Sequence, residues 1–361
     1  MPPVSLAGAT LRQVAHITVG GYQWRLRLSN EFGDEPVVVA SAFLANSEGG
    51  DRVRDEGARQ VRFSGDSSVT IRPGTAVWSD LIETGGSEPL TELAISLYLT
   101  RVPRKLTGHP GSRTTSFIVP GNHARDAKLP SATKTEHWYV ISGLETFVTA
   151  DYAAVVVLGN SIADGRGSAT DKNNRWPDNL AGRLQRDVGT QNVAVLNAGI
   201  GGNAVLRGGL GPTALERFDR DVLNQRGARW VIISEGVNDL GGSKPDSAAS
   251  IGTQLIDAYR QFVARSHARG LRVYGATILP FGGSSYDAPQ REAARLRVNE
   301  WVRRGGTFDA VIDFDAALRD PANTSRLRGD ADSGDHLHPN ENGYRLMADA
   351  IDLALFRNDH Q

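Results

Sequence analysis

A hydroxyl nucleophile needs a base to take its proton, a group to orient that base, and donors for the oxyanion that forms. This sequence holds a candidate for each. Ser161 lies in Gly159-Asn160-Ser161-Ile162, straight after the apolar run Val155–Leu158. Gly202 lies in Asn197-Ala198-Gly199-Ile200-Gly201-Gly202-Asn203, and Asn238 in Gly236-Val237-Asn238-Asp239. Asp335 and His338 share the segment Asp335-His336-Leu337-His338-Pro339. An Asp three residues ahead of a His can fold back onto one ring nitrogen and leave the other free to accept a serine proton. Taken singly, each has a plainer reading. Asn203 and Asn238 suit turns, Gly202 suits an unusual dihedral, Asp335 suits a surface, and His336-Leu337-His338 suits a metal. No second cluster completes a metal site, so no metal and no cofactor is expected.

The elements needed to gather these residues can be read from periodicity. Four consecutive apolar residues, Val155–Leu158, suit a strand buried on both faces. Trp176, Leu180, Leu184 and Val188 recur at helical spacing after it. Further strands are expected at Val193–Leu196, Trp230–Ile233, Leu271–Leu279 and Ala310–Phe314. Helices are expected through Leu215, Phe218 and Val222 after Pro212, through Ile251–Phe262, through Val298–Val302, and through Tyr344, Met347 and Ile351. Alternating strands and helices imply a three-layer α/β/α domain with a parallel sheet. Its strand ends share one edge, so the loops carrying Ser161, Gly202 and Asn238 converge on one crevice.

The chain before this reads differently. Trp24, Leu26 and Leu28 alternate with Arg25 and Arg27, and Leu93, Ile95, Leu97 and Leu99 alternate with smaller or polar residues. Short period-2 runs punctuated by Ser64-Gly65-Asp66 and Pro73-Gly74 predict an all-β sandwich or jelly roll. The expected organisation is a β-sandwich domain over residues 1–148 and an α/β domain over 149–361. Trp24, Trp78 and Trp138 suit either the core or a face that stacks on sugar rings.

Composition narrows the class. In 361 residues the net charge is −1 and 40% are hydrophobic; the isoelectric point is about 6.7. Neither nucleic acid nor an anionic membrane surface is an expected partner. No apolar run reaches the length of a membrane-spanning helix. Zero cysteines exclude disulfides, thiolate nucleophiles and Cys-ligated zinc. Met-Pro-Pro-Val-Ser-Leu lacks the charged and apolar regions of a signal peptide; the expectation is a cytoplasmic protein as written, or a secreted one if a signal has been removed. Oligomeric state is left open.

The four blocks in this order resemble the SGNH, or GDSL-type, hydrolases over about residues 150–357. The resemblance implies Ser161 as nucleophile, Asp335 and His338 completing a triad, and Ser161, Gly202 and Asn238 as oxyanion donors. Asn160 stands where the usual motif has Asp; Asn keeps an acceptor and gains donors. The N-terminal β domain, Arg175-Trp176-Pro177-Asp178 and Arg207-Gly208-Gly209-Leu210-Gly211-Pro212 are similar to a subgroup of arylesterases and acyl hydrolases, some associated with xylan breakdown. The expected function is a serine ester hydrolase that removes short acyl groups, acetyl above all, from carbohydrate or small esters, with Asn203, Trp176 and Arg207 touching substrate. Two alternatives stand beside it: a lipase, thioesterase or arylesterase with the same triad, and an inactive carbohydrate-binding protein.

Overall fold

The computed structural model describes residues 2–54, 57–149 and 151–357. The chain divides into two compact units, Met1–Thr149 and Ala150–Gln361.

The first unit is all antiparallel sheet. Strands Thr133–Thr135, Ser116–Pro120, Ala9–His16, Glu92–Arg101, Val37–Asn46 and Arg59–Gln60 lie in that order in a seven-stranded sheet, with Val69–Ile71 also paired to Val37–Asn46. A four-stranded sheet holds Ile141–Thr146, Gly21–Ser29 and Ala76–Trp78, with Ile82–Ser87 also paired to Gly21–Ser29. Alternation turns Trp24, Leu26 and Leu28 of one sheet, and Leu11, Val39, Leu97 and Leu99 of the other, into one shared core. Trp24 is therefore a core residue. Trp78 and Trp138 are half-buried; the Arg25 guanidinium lies over the Trp78 ring, and the Trp138 indole N–H donates to the Val14 carbonyl.

The second unit is a three-layer α/β fold. Its first strand, Ala153–Gly159, is buried along its whole length, which is why it reads as a continuous apolar run. Val193–Gly199 pairs on one side and Ala228–Ser234 on the other; Arg272–Ala276 and Ala310–Ile312 follow outward. All pairs are parallel, in the order second, first, third, fourth, fifth. The order reverses beside the first strand, so the crevice that such sheets form at their carboxyl ends falls where the first three strands finish.

The helices Trp176–Arg186, Ala248–His267, Pro289–Arg304 and Glu341–Asp349 cover the sheet. Several limits differ from the sequence reading. Val188 lies beyond its helix and is exposed. The fourth strand stops at Ala276, after which the Ile278 N–H leaves the sheet for the Asn299 side chain. The helix after Pro212 is capped by Thr213, whose hydroxyl accepts from the Glu216 N–H while the Glu216 carboxylate accepts from the Thr213 N–H. That helix covers Ala214–Phe218 and continues as a π-turn over Asp219–Leu223. Among the described residues no helix is long and apolar enough to cross a membrane.

Candidate active site

Ser161 is the first residue of the short helix Ser161–Asp164, directly after the first strand. The Asn160 side chain caps this helix, its Oδ1 accepting from the Ile162 N–H at 3.0 Å. The cap leaves Ser161 at the strand end, the residue as a whole 8% exposed.

Ser161 Oγ lies 2.9 Å from His338 Nε2, a contact spanning 177 residues. His338 Nδ1 lies 2.7 Å from Asp335 Oδ2. A carboxylate can only accept, so the Nδ1 proton points at Asp335 and Nε2 is left to accept from the serine. Asp335 is itself held by the N–H groups of His338 and Leu337, at 2.8 and 3.0 Å. Partial burial works against its charge, but the His338 backbone and ring and the Leu337 N–H outweigh it and bring the carboxyl down to about 2. It is ionised wherever the imidazole needs an orienting partner.

Gly202 follows the second strand in a turn at φ +72°, a left-handed conformation that glycine adopts without strain. Among the described residues no acceptor takes the N–H of Gly202 or of Ser161. Asn238 sits in the first turn of the helix Val237–Gly241, after the third strand. Its Nδ2 donates to the Asn203 carbonyl at 2.7 Å, which ties the third loop to the second. Asp239 strengthens that tie by accepting from the Val205 and Leu206 N–H groups, both at 2.9 Å. Asp164 ties the first loop to the second through the Gly201 N–H at 2.9 Å. The arrangement can deprotonate a serine and offer N–H groups to a developing oxyanion.

Beneath the serine lies a buried polar network. Arg217 donates to the carbonyls of Gly159 at 2.9 Å and Ala198 at 2.6 Å, to Asn203 Oδ1 at 3.0 Å, and to Glu235 at 3.4 Å. It thus joins the ends of all three strands that lead to the site. The Arg217 and Glu235 side chains are fully buried. Burial pushes the Glu235 carboxyl up to about 8, against the opposing pull of Arg217 and the hydrogen bond from Asn160. That hydrogen bond, from Asn160 Nδ2 to Glu235 Oε2, is 3.2 Å.

The structure brings Ser161, Asp335 and His338 into one hydrogen-bonded line and sets Gly202 and Asn238 on the neighbouring loops. The three expected substrate contacts fare differently. Trp176 is 0% exposed and packs edge-on against Phe314, so it cannot stack on a sugar. The spacing that reveals its helix also puts it in the stripe that the helix buries, with Leu180 and Leu184. Asn203 is likewise 0% exposed. Its Oδ1 accepts from Arg217 and its Nδ2 donates to the carbonyls of Leu210 and Pro212, so its amide shapes the loop rather than meeting substrate. Arg207 is exposed on that loop and lowers the carboxyl of Asp239 beneath it only as the weakest of several influences, the largest being burial, which raises it.

The two histidines of His336-Leu337-His338 do not converge. His336 turns to Asp332 at 2.6 Å while His338 turns to Asp335. No cluster of three metal-ligating side chains occurs among the described residues. Glu235, Arg217 and Tyr286 escape the sequence reading altogether. The only signal for Glu235 is a carboxylate two residues after the apolar run Trp230–Ile233. Tyr286, whose hydroxyl donates to Asn238 Oδ1 at 2.9 Å, lies in an irregular segment with no periodicity.

Solved structures with similar folds include a protein assigned to the lipolytic G-D-S-L family from Desulfitobacterium hafniense, at 22% identity over 55% of this chain and 97% of that one, with a TM-score of 0.42. An acetylxylan esterase from Geobacillus stearothermophilus is similar at 20% identity over 56% and 94%, with a TM-score of 0.41. A GDSL-like lipase from Bacteroides thetaiotaomicron is similar at 20% over 56% and 87%, with a TM-score of 0.40. No curated protein matches the chain. Residues 157–346, more than half of the sequence, running from within the first strand of the second unit into the helix Glu341–Asp349, match the model of the GDSL-like Lipase/Acylhydrolase family; the chain belongs to that family and is a carboxylic ester hydrolase.

Proposed function

We propose that this enzyme removes short acyl groups, acetyl above all, from hydroxyls of carbohydrates or other small polar alcohols, with Ser161, His338 and Asp335 as its triad. The observation that carries the reading is the unbroken line from Ser161 Oγ through the His338 ring to Asp335, at 2.9 and 2.7 Å. His338 Nε2 takes the Ser161 proton as Oγ bonds to the ester carbonyl carbon. The carbonyl oxygen becomes an oxyanion facing the N–H groups of Ser161 and Gly202 and the Asn238 amide. His338 returns the proton to the alcohol oxygen as the C–O bond breaks, leaving an acyl-serine. Water, deprotonated by the same nitrogen, then releases the acid and restores the serine.

The short acyl preference rests on what borders the serine. Buried methylenes each contribute about 0.8 kcal/mol, but only against an apolar wall. The loops after the first and second strands instead carry exposed Arg166, Asp171, Lys172 and Arg207, with Leu210 as the exposed leucine among them. Such groups suit a hydroxyl-rich alcohol better than an alkyl chain.

The test pairs Ser161→Ala with a series of p-nitrophenyl esters from acetate to dodecanoate and with acetylated xylan. The substitution should leave a folded protein with no more than about a thousandth of the turnover; a tenth or more retained removes Ser161 as nucleophile. kcat/KM should peak between acetate and butyrate. A rise towards octanoate or beyond replaces the short-acyl reading with a lipase or thioesterase and leaves the triad standing.

A further inference from the structure

We infer that Tyr286 is a positioning residue for ester hydrolysis, acting through Asn238: its hydroxyl holds the Asn238 amide so that one Nδ2 N–H faces the oxygen that becomes negative. This rests on the reading of Asn238 as an oxyanion donor and adds a residue outside the four motif blocks.

A side-chain amide has an oxygen that only accepts and a nitrogen that only donates. Asn238 Nδ2 donates to the Asn203 carbonyl at 2.7 Å, and Asn238 Oδ1 accepts from the Tyr286 hydroxyl at 2.9 Å. Turning the amide over would set Oδ1 against the Asn203 carbonyl, two acceptors at hydrogen-bond distance. The Asn203 carbonyl therefore sets which way the amide faces, the Tyr286 hydroxyl holds its other end in place, and one Nδ2 hydrogen remains for substrate. An oxyanion donor is effective in proportion to how little it must reorganise as charge develops. With Tyr286 in place the amide is held from both sides; without the hydroxyl it is held from one.

Tyr286 is itself held in place. Its N–H donates to Ser284 Oγ at 3.1 Å and its carbonyl accepts from Arg291 Nη1 at 3.3 Å. Arg291 also donates through Nε and Nη2 to the Ser243 carbonyl. The segment from Ser284 to Arg291 is thereby fastened beside the helix that carries Asn238. Gly241, in that helix, makes the approach possible: a Cβ there would lie 2.1 Å from the Tyr286 ring. Burial raises the Tyr286 hydroxyl pKa, so it stays a donor at neutral pH.

A double-mutant cycle on a short-chain ester tests the inference. Asn238→Ala alone should lower kcat by about a hundred-fold or more with little change in KM. Tyr286→Phe, which deletes one oxygen, should lower kcat by about ten-fold, with KM and the melting temperature little changed. In the Asn238→Ala background Tyr286→Phe should cost nothing further. An equal fractional loss in both backgrounds overturns the inference, because Tyr286 then acts independently of Asn238. So does an unchanged kcat for Tyr286→Phe, or a loss confined to KM. Asn238→Ala with normal kcat instead removes Asn238 from the oxyanion site, and the inference falls with that reading. If the Asn238→Ala background is too slow to follow, affinity for an alkyl boronic acid, which forms a tetrahedral anion on Ser161 Oγ, supplies the same comparison.

Discussion

At the scale of single residues, the departure at Asn160 has a physical explanation. Its Oδ1 caps the helix that begins at Ser161, as an Asp would, but its Nδ2 donates to Glu235 at 3.2 Å. An Asp at 160 would instead set a second carboxyl against Glu235, and above about pH 8, where Glu235 ionises, like charges at that distance disfavour one another strongly. At a pH above that value Asn160→Asp should destabilise the protein by about 3 kcal/mol, the scale of an uncompensated buried charge, and lower turnover. Adding Glu235→Gln moves the charge rather than duplicating it, so Asn160→Asp/Glu235→Gln should regain most of both losses. Urea titrations and ester assays on the three variants decide it: a double variant no better than Asn160→Asp would show that the charge pairing is not what selects Asn. Neither Glu235 nor Arg217 was legible as part of the site, because sequence shows a charge but not which charge it meets. Ser161, Gly202, Asn238, Asp335 and His338 were legible because each lies in a short block beside a strand or before a helix. Trp176 was misread because its place just after the polar stretch 164–175 was weighed above the helical spacing with Leu180 and Leu184 that sets it in the buried stripe.

At the scale of elements, the site depends on three parallel strands ending together, and Arg217 spans those ends through the Gly159 and Ala198 carbonyls and Glu235. Removing it takes a charged donor from each of these acceptors, although Gly159 keeps the Ile200 N–H and Glu235 keeps the Asn160 amide. Arg217→Met, similar in length, should therefore cost about 3–5 kcal/mol and turnover along with it. A loss in urea of under about 1 kcal/mol, the worth of one ordinary hydrogen bond, would show the strand ends to be held by sheet pairing alone. The strand run itself was readable: Val155–Leu158 is apolar because both faces are covered. Element ends were less readable. The fourth strand stops short of the apolar Ile278 and Leu279, which remain buried after leaving the sheet; apolarity records burial, not pairing.

At the scale of the whole molecule, two carboxyls with opposite shifts shape stability against pH. Glu235 is raised from 4.5 to about 8. A raised carboxyl contributes fully below its unfolded value, and the contribution is lost as pH rises through the folded one. Asp335 is lowered from 3.8 to about 2, so its contribution is present above 3.8 and is lost as pH falls through about 2. The unfolding free energy of the native protein minus that of Glu235→Gln should therefore decline steadily from pH 4.5 towards 8. A difference that stays flat across that range would mean that Glu235 keeps an ordinary carboxyl value in the fold.

The contact between Ser161 and His338 joins residues 177 positions apart. Closing a long loop carries an entropic cost that local structure does not, so contacts of such separation tend to form late in folding. Ser161, the proposed nucleophile, is set by the first strand of its unit and His338, the proposed base, by the segment before the last helix, so a partly folded chain holds one without the other. On the proposed triad, ester cleavage is consequently a signal that the second unit has completed its folding. During refolding it should return after helical circular dichroism has recovered, and a nascent chain that has not yet delivered residue 338 carries an unarmed serine.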